Sequence, residues 1–271
     1  MGIAQLFPAK CGVYIFFIIT HIPILQGEEQ FQCPSLTENP ICPCYNFKEG
    51  LFLECPSATP GVVKNVLLKI KGAIQSLSIY DLESSTTELN SDMFPTQTKI
   101  INLQISQSAI EKIKSNTFAP FRDSLTSLSI ISGKLNQVPH DSLLELNRIE
   151  AIDLQLNDIR EIESRSFDGL KLKKINLKGN KIANISEDAF NTLDKTLTEL
   201  DMTENFLDAF PLISLGKLTK LTNLRLAWNK ISSILESDDI NLPSLSTLDL
   251  SSNFFVTLEK NRFKCMPNIK T

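Results

Sequence analysis

Histidine is almost missing from this sequence: 271 residues contain two. His21 lies in the apolar N-terminal stretch, and His140 follows Val138-Pro139 in a connecting segment. A histidine-based triad or zinc site needs partners that the rest of the chain does not supply, so His140 reads as a surface residue. A phosphate loop is missing too. Gly216-Lys217-Leu218-Thr219 hints at one, but Pro211 stands where that motif requires glycine. Carboxylates are plentiful, yet none sits in a recognisable catalytic motif. No catalytic residue, cofactor or metal site is assigned, and the chain reads as non-enzymatic. Positive charge is not in excess either: Lys+Arg is 27 against Asp+Glu 31, a net charge of −4. That balance gives no general attraction to nucleic acid or an anionic membrane. Past residue 27, no run is long and apolar enough to span a bilayer.

Residues 1–27 read as a secretory signal. Lys10 is their only charge, and the apolar run Val13–Ile19 resumes at Ile22–Leu25. The run is short and broken by polar residues and Pro23, which suits a cleaved signal better than a membrane span. Leu25-Gln26-Gly27 is a loose small-x-small cleavage site. Leu6 stands where N-myristoylation wants Ser or Thr. The mature chain is expected outside the cell.

Self-similarity dominates what remains. Leu172–Ile185 reads L-K-K-I-N-L-K-G-N-K-I-A-N-I, with Phe190 closing the unit. The same frame starts at Ile74, Ile100, Leu125, Ile149, Leu172, Leu197, Leu221 and Leu245, so successive units are 23 to 26 residues apart. The fourth and sixth positions are apolar in all eight, from Leu77/Ile79 to Leu248/Leu250. The ninth is asparagine in the last five: Asn157, Asn180, Asn205, Asn229 and Asn253. Leu82, Ser108 and Gly133 replace it in the first three. Phenylalanine recurs near the unit end at Phe118, Phe167, Phe190 and Phe263. Met266–Ile269 looks like the opening of a ninth unit. The pattern LxxLxLxxNxLxxI resembles the leucine-rich repeat of extracellular proteins.

Each position has a physical task. The L-x-L centre is a short strand whose apolar side chains face inward. Strands of successive units pair in parallel and line one face of a solenoid. The asparagine amide both donates and accepts, so it can satisfy backbone groups that the turn buries. The expected fold is α/β: a right-handed leucine-rich repeat solenoid, a curved horseshoe with a parallel concave sheet. Its domains are a signal peptide at 1–27, a cysteine-rich N-terminal cap at 28–65 and repeats at 66–271. Val62–Ile70 is expected to be a short helix, and Glu83–Asp92 a polar loop on the outer side.

Cysteines stand at 11, 33, 42, 44, 55 and 265. Cys33, Cys42, Cys44 and Cys55 form C-x8-C-x-C-x10-C just before the repeats, and spacing alone leaves three pairings open. A zinc site is disfavoured, because C-x-C is a poor chelate for a tetrahedral ion and a secreted chain is oxidised. With Pro34 and Pro43, the cluster resembles the N-terminal cap of extracellular leucine-rich repeat proteins. That resemblance implies the pairs Cys33–Cys44 and Cys42–Cys55 and a role in protein binding on the concave face. Leu51 and Leu53, alternating with Phe52 and Glu54, suggest a cap strand. Degenerate early repeats behind a C-P…C-P-C-Y cap also resemble secreted arthropod proteins such as the non-catalytic subunit of Oplophorus luciferin 2-monooxygenase. Toll-like and chaoptin-like ectodomains are similar as well. Cys265 has no obvious partner; an intermolecular disulfide, a partner in further sequence and a buried thiol are all open.

The strand positions beside the inward residues face the concave side. In unit five they are Lys174, Asn176 and Lys178; in unit six Glu199, Asp201 and Thr203, with Glu204 beside them; in unit seven Asn223, Arg225 and Ala227, followed by Trp228. Charge alternates basic, acidic, basic. One reading is cross-strand salt pairs that keep an exposed sheet soluble, each worth under about 1 kcal/mol. The other is a partner site on Lys174, Asn176, Lys178, Asp201, Arg225 and Trp228, since exposed Trp beside Arg suits an interface. Asn184-Ile185-Ser186 is a glycosylation sequon whose asparagine should point outward. Unit eight should present an apolar edge with Leu248, Leu250, Phe255 and Leu258, covered by further chain or by a dimer. The functional expectation is a secreted recognition module for an extracellular protein. Alternatives are a stabilising subunit of a secreted enzyme, a receptor ectodomain fragment or an extracellular hydrolase.

Overall fold

The computed structural model describes residues 33–34, 41–234, 240–257 and 260–269. They belong to one compact body, Phe31–Thr271. The expected signal at 1–27 lies outside the described residues.

The cap comes first. β1 (Cys44–Phe47) turns back into β2 (Gly50–Pro56), its antiparallel partner. Gly50 starts β2 at φ +130°, a backbone conformation that side chains rarely adopt. Cys33 is bonded to Cys44 and Cys42 to Cys55, the pairs implied by the resemblance. β2 then lies parallel to β3 (Ile74–Tyr80), with Leu53 opposite Leu77 and Cys55 opposite Ile79. The cap strand therefore buries Leu51, Leu53 and Cys55 in the register of the repeats. The alternation in Leu51–Glu54 predicts β2; nothing in it predicts β1.

α1 (Pro60–Leu67) stands where a helix was expected over 62–70, but begins and ends earlier. Thr59 sets its start: its Oγ1 accepts the Val62 N–H at 3.2 Å, and Pro60 follows in the first turn. Val63, Val66 and Leu67 bury its inner face. The stretch 83–92, expected as a plain polar loop, contains β4 (Glu88–Leu89). Leu89 is buried and anchors it, and the Asn90 side chain caps the 3-10 turn Ser91–Met93 that follows.

In chain order there follow β5 (Ile100–Ser106), β6 (Lys112–Ile113), β7 (Ser127–Ile131), α2 (His140–Leu143), β8 (Ala151–Asp153), β9 (Glu161–Ile162), β10 (Lys174–Asn176), β11 (Asn184–Ile185), β12 (Glu199–Asp201), α3 (Leu212–Leu215), β13 (Asn223–Arg225) and β14 (Thr247–Asp249). The main sheet runs β1-β2-β3-β5-β7-β8-β10-β12-β13-β14. All its pairs beyond β1/β2 are parallel and join like positions of successive units: Ile152, Ile175, Leu200, Leu224 and Leu248 stand in one row. Two small parallel ladders, β4/β6 and β9/β11, lie on the return path. Among the described residues, no helix is long and apolar enough to cross a membrane.

The core is the repeat pattern made solid. The first residue of every unit is buried, as are the fourth and sixth of units one to seven. Each such side chain contributes roughly 1.5–3 kcal/mol on burial. Phe118, Phe167 and Phe190 are buried at the unit ends, and the last two stack with ring centroids 5.6 Å apart. Phe263 is half-buried. In unit eight, Leu248, Leu250 and Phe255 are also half-buried, and Leu258 lies outside the described residues. Cys265 is buried, which pushes its thiol pKa up.

Asparagine forms a ladder beside this core. In Asn229, Nδ2 donates to the carbonyls of Leu226 (3.0 Å) and of Met202 in the preceding unit (2.9 Å). Its Oδ1 accepts the Leu207 N–H at 3.0 Å. Asn157, Asn180, Asn205 and Asn253 repeat this set. Ser108 supplies a reduced version, accepting from Leu82 N and donating to Ser106 O. At Gly133 a Cβ would stand 2.7 Å from Asn157 Oδ1, so a side chain there would require the Asn157 amide to shift.

The residue before this position holds a surprise. In all eight units it is left-handed, with φ between +52° and +67°. Glycine takes that conformation at least cost, yet only Gly179 is glycine. A Cβ there would also lie 2.6 Å from Leu156 Cδ2, so a larger residue would push the exposed Leu156 side chain aside.

Candidate functional site on the concave sheet

β8, β10, β12 and β13 place positions three and five of units four to seven on one exposed sheet face. Strand spacing of about 4.8 Å makes these positions neighbours. The expected alternation of charge is present as contacts. Lys174 Nζ lies 2.9 Å from Glu199, Lys178 Nζ 3.2 Å from Glu204, and Arg225 3.6 Å from Asp201. All of these side chains are partly solvent-exposed, so each pair adds at most about 1 kcal/mol.

Position five does a second job. The carboxylate or amide oxygen there accepts the backbone N–H two residues on: Gln155 N to Asp153 (3.0 Å), Lys178 N to Asn176 (3.1 Å), Thr203 N to Asp201 (2.9 Å) and Ser251 N to Asp249 (3.0 Å). These bonds tie down the strand end just before the left-handed residue. Arg225 cannot accept, so unit seven forgoes the bond and carries a cation instead.

Lys174, Asn176, Asp201 and Arg225 come together around one hollow of about 300 Å³, which also exposes Asp153. Its origin is in the sequence. The same strand positions hold small residues, Ser127, Ser129 and Ala151, on units three and four, beside long side chains on units five to seven. Trp228 is at the left-handed position after β13 rather than in the strand, and it is 63% exposed. Ala227, expected to face outward, is buried. Asn184 is elsewhere: it is exposed on β11, in one of the ladders of the return path. His140 is half-buried, with Nδ1 3.1 Å from the Ser166 carbonyl oxygen.

Two carboxylates at position five differ sharply. Asp249 accepts hydrogen bonds from the Ser251 hydroxyl and N–H, and with Arg225 nearby its pKa is lowered. Asp153 keeps the backbone bond and gains one from Gln155 Nε2 at 3.1 Å, but burial dominates and raises its pKa above 3.8. Asp201 adds to the rise, while Gln155 and Asn176 oppose it. Lys174, Glu199 and Arg225 complete the charged surroundings. The folded state thus binds a proton more readily than the unfolded chain, so charging Asp153 weakens the fold as pH rises through this window. Asn176 makes the same backbone bond at the same register position, which makes Asp153→Asn a mild change. The stability of the parent relative to Asp153→Asn should therefore fall as pH rises from 3.8 and then level off. Denaturation midpoints measured across that range test this, and parallel curves would contradict it.

Comparison with known proteins agrees with this geometry. Residues 123–182 and 171–231 match the family model of the leucine rich repeat, and residues 63–147 match that of the BspA type leucine rich repeat region. Rat leucine-rich repeat-containing G-protein coupled receptor 5 is 34% identical over 131 residues, covering 47% of this chain and 14% of the receptor. The chain thus spans a small part of that relative's length. The Drosophila Toll structure, solved as the Toll–Spatzle complex, superposes with a TM-score of 0.55 at 17% identity, over 80% of this chain and 34% of that one. The structure of the TLR13–ssRNA13 complex gives 0.52 at 18% identity, over 80% and 41%. At such identities these two show a shared fold.

Proposed function

This chain is a leucine-rich repeat protein with an N-terminal cysteine cap, and on that premise we propose that it is a secreted, non-enzymatic recognition module. It binds an extracellular protein on the concave face of units four to seven. The observation that carries the reading is the run of ion-paired, partly exposed side chains on adjacent parallel strands, next to the exposed Trp228. Charges of both signs in fixed register suit the orientation of a protein partner more than capture of a polyanion. Trp and Arg are the residue types that most often carry interface energy. Two disulfides in the cap support an oxidising compartment, and there Asn184, exposed in its sequon, is a glycosylation site.

Affinity capture from the secreting fluid, followed by identification of what is retained, is the direct test. With the captured protein in hand, Trp228→Ala should weaken binding roughly thirtyfold or more, about 2 kcal/mol, and leave folding nearly intact. Lys178→Glu sets a second carboxylate against Glu204 and should mainly slow association, more so at low salt. An affinity indifferent to Trp228, Arg225 and Lys178 alike would move the site off this face. Hydrolysis by the purified chain would overturn the non-enzymatic reading.

A further inference from the structure

The hollow on the concave sheet has a chemistry of its own. Asp153, Glu199 and Asp201 give it three carboxylates, while Lys174 and Arg225 give it two cations. Both cations are already engaged, Lys174 with Glu199 and Arg225 with Asp201. Asp153 has no lysine or arginine partner among the described residues; its oxygens accept only neutral donors from Gln155 and Asn176. One negative charge is therefore left over, held by a half-buried carboxylate in a recess floored by small side chains. Buried charges in proteins are ordinarily matched by a counter-charge.

We propose that this hollow is a receptor for a cationic side chain, an arginine of the partner protein, with Asp153 as its counter-ion. The inference rests on the concave-face reading above. The volume, about 300 Å³, is at the small end of ligand pockets, which suits one inserted side chain. Asp153 accepts from Gln155 N on Oδ1, from Gln155 Nε2 on Oδ2 and from the Asn176 side chain, so of its about four lone-pair sites one stays open to a single N–H of a guanidinium. Asp201 stands two strands away, roughly 10 Å, and its charge is already matched by Arg225, so Asp153 carries the attraction. Lys174 and Arg225 repel a cation on one side of the hollow, whereas Ser127, Ser129 and Ala151 line the other side with small uncharged side chains. Approach over the small residues is therefore favoured. Filling that side, as in Ser129→Lys, should close the site by bulk and by a competing ammonium.

The test uses the whole chain and two small probes, N-acetyl-arginine amide and its neutral isostere N-acetyl-citrulline amide. Side-chain amide resonances of Gln155 and Asn176 report on the hollow. Arginine amide should shift them saturably in the millimolar range, citrulline amide should bind at least tenfold more weakly, and Asp153→Asn should remove the difference. Because asparagine already occupies this position in unit five, the variant is expected to fold; unchanged backbone resonances in the other units verify that. Equal responses to both probes, a response untouched by Asp153→Asn, or no saturable shift in the millimolar range would overturn the proposal. The probes need no captured partner, so their outcome stands apart from the capture experiment. A partner sensitive to Trp228→Ala but indifferent to Asp153→Asn would uphold the concave reading and sink this one.

Discussion

Asn229→Ala should destabilise the chain by about 1–3 kcal/mol, while Asn223→Ala, six residues earlier, should stay within about 0.5 kcal/mol of the parent. The two residues share a unit and a side-chain chemistry, and differ in where the register puts them. Asn229 is buried, and its amide satisfies groups of two units: the carbonyls of Leu226 and Met202 and the N–H of Leu207. Alanine leaves Leu207 N without its acceptor and opens a gap too apolar on its core side to hold water well. Asn223 is half-exposed on the sheet face, where water can replace what is lost. Because stability in a solenoid is close to a sum of units and their interfaces, the damage should concentrate between units six and seven. Urea denaturation gives the two midpoints, and amide exchange gives the location. Equal midpoints would contradict the assignment of roles. Asn205→Ala, with the same bond set one unit earlier, should behave like Asn229→Ala.

The register that makes this contrast possible was legible in the sequence, because inward leucines recur at fixed positions and asparagine marks the same turn five times. Depth was not legible. Alternation along a strand tells which way a side chain points, but the hollow at Asp153 arises from small residues in its own unit and the one before, and Ala227 is covered although its position faces outward. The left-handed residue before each asparagine left no compositional signal either. Glycine would be the signal, and seven of the eight units do without it. In units one to seven that residue's own N–H donates to a strand-end carbonyl of the next unit, as from Asp81 to Ser106 and from Trp228 to Ser251, and in units four, five, six and eight the position-five side chain holds the N–H just before it. Asn176 and Asp201 read from sequence as exposed positions for a partner, and Asp153 drew no reading at all, yet each first serves its own strand end. The salt pairs, one of two readings posed from sequence, are present, and they join residues of the proposed partner site.

Removing the disulfide Cys42–Cys55 should cost about 2–5 kcal/mol, and more than removing Cys33–Cys44. Both close loops of similar length, with separations of 13 and 11 residues, so chain entropy alone predicts nearly equal losses. Burial separates them. Cys42 and Cys55 are buried, and Cys55 stands opposite Ile79 in the row of inward residues. Cys33 and Cys44 are half-buried at the margin. In a Cys42→Ala/Cys55→Ala variant, β2 loses its covalent tie to the segment ahead of β1 and also part of the buried packing that seats it on β3. β3 then faces water along an open strand edge, and such edges invite pairing between chains. Protection from amide exchange should drop over 44–80 and persist in units four to seven, with aggregation rising before global unfolding. The matching Cys33→Ala/Cys44→Ala variant should keep β2 in place and lose less. Equal midpoints for the two variants, or protection lost uniformly along the chain, would mean that the cap stabilises through chain entropy alone and not by covering the first repeat.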